Sequence, residues 1–108
     1  MARDRSDTPV IDLLARMTAE SVEASNLDKQ TFMLARIAAL VAVGAPPASY
    51  LANLGAAREV GIDTEQVRGV LMAIAPIVGT VRVVSATGNI VRALGFAIEV
   101  ADMDRPAA

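Results

Sequence analysis

Cysteine, histidine and tryptophan are missing altogether from this sequence. Without cysteine there are no disulfides, no thiol nucleophile, no iron–sulfur cluster and no thiolate zinc site. The redox compartment is also unreadable. Without histidine the commonest general base and the commonest metal ligand are both lost. Aromatic residues are few: Phe32, Tyr50 and Phe96 are the only ones. Net charge is −2, with no basic cluster. Nucleic-acid binding needs a positive face or stacking platforms, so it is not expected. Nothing resembles a glycine-rich phosphate loop; the seven glycines are scattered as caps and packing positions.

Long apolar runs are scarce too. The longest uncharged stretch, residues 37–57, is broken by Pro46 and Pro47. A spanning helix needs about 20 continuous apolar residues. The N-terminal segment MARDRSDTPV has no apolar core of signal-peptide type behind it, because Asp12 and Arg16 interrupt the next residues. The expectation is a soluble, cytoplasmic protein that does not engage membranes. No metal or cofactor is expected.

What the chain does have is apolar content: 54% of its 108 residues, against 20% charged. A domain this small buries a smaller share of its surface than a large one. Apolar surface is therefore left for a partner, most simply another copy of the chain.

The local signals spell out helices. Thr8-Pro9 reads as an N-cap followed by proline at the first helical position. Val10, Leu13, Leu14, Met17 and Val22 recur at helical spacing up to about Ser25. Asn26-Leu27-Asp28 breaks this helix, and Asp28 caps a second. From Phe32 to Val43 only Arg36 is charged, which predicts a helix buried on most sides, closed by Gly44. A third helix opens near Pro46 and runs to about Val60. Asp63 and Gln66 have capping-box spacing, so a fourth begins at Thr64, to be ended or kinked by Pro76 and Gly79. In residues 80–102, TVRVVSA favours a strand by composition. No second strand exists to pair with it, and a lone strand leaves its backbone unpaired. A long helix is the better reading, with Gly88 and Gly95 on one face to admit another helix. The whole is an all-α single domain of about five helices over residues 1–108, with 1–7 and 103–108 expected to be disordered.

Two clusters of residues could carry a site. Arg36 sits in MLARIAALVAV, too apolar to expose much. A buried guanidinium needs a partner: an ion pair, within the chain or across an oligomer interface, or a carboxylated ligand. Ser49, Tyr50 and Asn53 lie in the first turns of the third helix, in GAPPASYLANLGAA. Ser49 and Asn53 share a face. They either cap and pack, or they line a ligand site; with no histidine, lysine or acid beside it, Ser49 is not an activated nucleophile.

Three segments, LDKQTFMLARIAALVAVGAPP, GAAREVGIDTEQVRGVL and AIAPIVG, resemble the carboxymuconolactone decarboxylase family, which includes the alkylhydroperoxidase D-like proteins. The resemblance spans about residues 27–95 and rests on helix caps and alanine-rich packing. It implies a small all-α fold that assembles into homo-oligomers, trimers or hexamers. Redox members carry a Cys-x-x-Cys pair at the start of the third helix and a histidine four residues later. Here Pro46 and Ser49 stand at the cysteine positions and Asn53 at the histidine position. Decarboxylase members use a glutamate in the second helix, which aligns with Met33 or Leu34. Asn53 does not titrate. The resemblance thus implies a divergent member without peroxidase activity, and Met33, Arg36, Ser49, Tyr50 and Asn53 become the ligand-binding candidates. Three functions are compatible with it: binding of a small carboxylated molecule, a lyase using non-standard residues, or a catalytically dead oligomeric scaffold.

Overall fold

The computed structural model describes residues 7–104, and side chains as far as Gly95. Five helices follow one another: α1 (Pro9–Ser25), α2 (Lys29–Val43), α3 (Pro47–Glu59), α4 (Thr64–Val78) and α5 (Thr80–Asp104). Among the described residues there is no strand. The β-branched run at 80–84 is helical, as the want of a pairing partner requires. Met103 and Asp104, expected to be disordered, complete α5. The remainder of the two expected disordered ends, apart from Asp7, lies outside the described residues.

The helix ends follow local chemistry. Thr8 precedes α1, and its Oγ1 donates to Asp12 Oδ1 at 3.3 Å. Asn26 closes α1 in the left-handed conformation, φ 53°, one of the few residue types that tolerates it. Asp28 Oδ1 accepts from the Thr31 N–H and its Oδ2 from the Thr31 hydroxyl. These two bonds stabilise the ionised form, the backbone bond most, and hold the Asp28 carboxyl below its ordinary range. Pro46 is the N-cap of α3, with Pro47 at its first position. At α4 the capping box is complete: Asp63 accepts from Gln66 N–H, and the Gln66 side chain accepts from Asp63 N–H. Pro76 lies inside α4, which continues to Val78 before Gly79 ends it. Sitting in the last turn, the proline deprives only the Met72 carbonyl of its helical donor.

Gly44 ends α2 at φ +70°, and a Cβ there would come within 2.9 Å of the Arg82 guanidinium. Position and space both demand glycine. Gly61, φ +89°, serves the turn between α3 and α4, close to Gln30, whose Nε2 donates to the Val60 carbonyl and ties the start of α2 to the end of α3.

Helices α2 to α5 pack together: α2 on α3 and α4, α3 and α4 on α5, with a smaller contact between α2 and α5. One core cluster joins Val41, Ala45, Tyr50, Ala86, Ile90 and Ala93; the other joins Met33, Ile37, Ala57 and Ile62. Half-buried Leu54 and Val67 touch both. Two sequence expectations need correction. α2 is not buried on most sides: Met33, Ile37 and Val41 form one buried stripe, while Ala35, Ala39 and Ala42 are open. Gly88 and Gly95 admit no helix of this chain, for nothing lies within 4 Å of a Cβ built at either. α1 stands apart from this packing; none of its residues is buried.

Candidate functional site

Between α1 and the α2–α3 layer lies an open groove with two lobes, of about 540 and 420 Å³. Thr18, Phe32, Arg36 and Asn53 line both lobes and mark where they meet. The larger lobe is walled by Val22, Leu27, Met33, Ala52, Ala56 and Val60, with Lys29 and Glu59 also on its lining. Leu14 and Met17 from α1, with Ala39 and Leu40 from α2, wall the smaller. This is the usual make-up of a small-molecule site, mostly apolar with a few polar groups converging.

Each polar group is placed by its helix. Arg36 is half-buried, four residues after Phe32, so one turn of α2 stacks its guanidinium over the ring, 5.3 Å from the centroid. It has no acidic partner: the ion pair found among the described residues joins Arg68 and Glu65 on the surface, at 3.2 Å. The five N–H donors of Arg36 are therefore free for an anion. Asn53 spends its amide nitrogen on its own helix, donating to the Ser49 carbonyl at 2.8 Å. Its Oδ1 accepts no hydrogen bond from the described residues, and the residue lines both lobes.

The five sequence candidates separate. Met33, Arg36 and Asn53 meet in the larger lobe. Ser49 lines neither lobe, because the groove runs along the later turns of α3, past Ala52, Asn53, Ala56 and Glu59. Tyr50 turns the other way. It shares a face with Ala57, seven residues on, and that face is the core side. It is 0% exposed, packed with Val41, Ala86 and Ile90, and its hydroxyl has no hydrogen-bond partner among the described residues. Burial pushes this phenol above its ordinary pKa of 10.

Sequence reasoning missed Thr18, Val22, Lys29, Phe32 and Glu59. The apolar stripe of α1 was legible, but which surface it would overhang was not. Phe32 could have been found from its i, i+4 spacing to Arg36. No group of three or more histidine, cysteine, aspartate or glutamate side chains is placed to hold a metal among the described residues. No described helix is long and apolar enough to cross a membrane.

Five helices, with a groove against the second and third and proline opening the third, define an all-α fold of the kind the sequence motifs suggested. Residues 9–90 match the carboxymuconolactone decarboxylase family, and the chain belongs to that family. It is a divergent member, with Pro46, Ser49 and Asn53 where the resemblance puts cysteine, cysteine and histidine. No match was found among curated proteins or among solved structures.

Proposed function

We propose that this chain binds a small organic carboxylate in the groove between α1, α2 and α3. The observation that carries the reading is Arg36: half-buried, unpaired by any described acid, and stacked on Phe32 beside apolar walls. In this pose Arg36 takes the carboxylate through paired N–H donors, and the apolar walls take the carbon skeleton. Asn53 Oδ1 accepts from a hydroxyl or amide on the ligand. The thiol and imidazole chemistry of redox relatives has no counterpart here, so peroxidase activity is not part of the proposal.

Calorimetry with a panel of small cyclic and linear carboxylates, each beside its neutral amide, tests it. Carboxylates should bind and amides should not. Arg36→Met, which keeps the stem and removes the charge, should weaken binding at least ~30-fold, the measure of a lost charge-assisted pair. Equal binding of acid and amide, or an unaffected Arg36→Met variant, would sink the reading.

A second reading is a lyase. Glu59 favours it, as a carboxylate on the same lobe as Arg36. There it could take or return a proton next to a ligand held by the guanidinium. Turnover of a lactone carboxylate that stops in Glu59→Gln while binding persists would select this reading. Binding without turnover in the wild-type chain leaves the first.

A further inference from the structure

The larger lobe of the groove is lined by three ionisable side chains, Lys29, Arg36 and Glu59. None of them pairs with an opposite charge; the ion pair found among the described residues is that of Arg68 with Glu65. Their order along the lobe follows from how α2 and α3 run. Gln30 Nε2 donates to the Val60 carbonyl at 2.9 Å, so the start of α2 lies beside the end of α3. Val41 and Tyr50 share one core cluster and Met33 and Ala57 the other, as an antiparallel pair requires. Lys29, the first residue of α2, and Glu59, the last of α3, therefore share one end of the lobe. Arg36 and Asn53 share the other, where the smaller lobe begins; Lys29 and Glu59 do not line that lobe. Seven residues, two turns of one face, set Arg36 about 10 Å along the axis from Lys29.

Neither Lys29 nor Glu59 helps its own helix. A cation at a helix N-terminus and an anion at a C-terminus both oppose the helix dipole. What they complement lies in the lobe between them. Two cations and one anion match a ligand with two anions and one cation. Because Lys29 and Glu59 stand at the same end, the ligand's cation is next to one of its anions, and its other anion is at the far end.

We propose that the larger lobe selects an α-amino dicarboxylate. Its distal carboxylate sits on Arg36, its α-carboxylate on Lys29 and its ammonium on Glu59. This rests on the reading of the groove as a carboxylate site and names the class of ligand. An extended backbone of about seven carbons reaches about 10 Å between its outermost carboxylate oxygens. Its methylenes run past Met33, Ala56 and Val60. The ammonium goes to Glu59 rather than to Asn53 Oδ1, because an ionised acceptor holds it more strongly than a neutral one. The smaller lobe has no ionisable lining besides Arg36 and offers nothing to a further charge.

Calorimetry on the full chain with three probes of equal length tests this: 2-aminopimelate, pimelate, which lacks the ammonium, and 2-aminoheptanoate, which lacks the distal carboxylate. 2-Aminopimelate should bind about fivefold tighter than either of the others, the upper range for solvated ion pairs. Glu59→Gln should erase the margin over pimelate, and Lys29→Gln should weaken 2-aminopimelate by a similar factor. Both side chains are exposed, so the circular dichroism of these variants should match that of the wild type. If one fails to fold, the ranking of the three probes on the wild-type chain decides. Pimelate or 2-aminoheptanoate binding as tightly as 2-aminopimelate overturns the proposal, and so does a margin over pimelate that survives Glu59→Gln. If pimelate, or another carboxylate where none of the three probes binds, is still lost in Arg36→Met, the carboxylate reading stands without the amino dicarboxylate. If no carboxylate depends on Arg36, both fall.

Discussion

Helices α1 and α2 are neighbours in sequence and close in length, yet they have opposite fates. α1 has the cleaner amphipathic pattern: Asp12, Arg16, Glu20 and Glu23 fall on one side, and Val10, Leu13, Leu14 and Met17 on the other. It buries nothing. α2 is nearly apolar all round, with a blurred pattern, and it buries Met33, Ile37 and Val41. The difference teaches that amphipathicity tells which face of a helix needs cover. It does not tell whether the same chain supplies that cover. α2 is covered because α3 and α4 close on it; α1 lines one side of an open groove and is not among the helices packed together.

The largest expected effect separates the two helices directly. Ile37→Ala, at a site with 0% exposure, should cost ~2–5 kcal/mol in chemical denaturation. Leu13→Ala on α1, 48% exposed, should stay within ~0.5 kcal/mol. If Leu13→Ala proves as costly as the core change, α1 is covered in solution, and the contrast drawn from one chain breaks.

Tyr50 sharpens the comparison from within α3, whose two sides face the core and the groove. Tyr50→Phe removes an unpartnered buried hydroxyl and should stabilise the fold by ~1 kcal/mol. Because burial raises the phenol's pKa, the folded state holds this proton more tightly than the unfolded chain. Stability is thus intact below pH 10 and is lost as pH climbs from there through the folded value. Tyr50 is the sole tyrosine and there is no tryptophan, so ultraviolet absorbance titration reads this group alone. Ionisation at the ordinary pH would place Tyr50 in water.

Smaller effects belong to the helix starts. Asp63→Ala removes half of the capping box and should cost ~1 kcal/mol. Asp28 has a lowered pKa, so its contribution is present above about pH 3.8 and fades as pH falls through the folded value. An acid-unfolding curve that shifts in Asp63→Ala but not in Asp28→Asn would mean the joint between α1 and α2 adds nothing to the packed part.

Much of this architecture is legible in the residues themselves. Thr8, Asp28, Pro46 and Asp63 before helices, and Asn26, Gly44, Gly61 and Gly79 after them, mark the ends to within a residue or so. The site is harder to read. Arg36 stands out as the lone charge in an apolar helix, and Asn53 by its place in α3. Neither spacing reveals that Tyr50 turns to the core or that Ser49 sits too early along α3 to reach the groove.

The sequence by itself determined where each helix starts and stops, because caps, prolines and left-handed residues act through bonds to backbone only a few positions away. Only the tertiary structure decided which apolar face is buried, which overhangs a groove and which is left bare. Burial depends on what distant residues bring alongside, and no local pattern in α1, α3 or α5 carries that information.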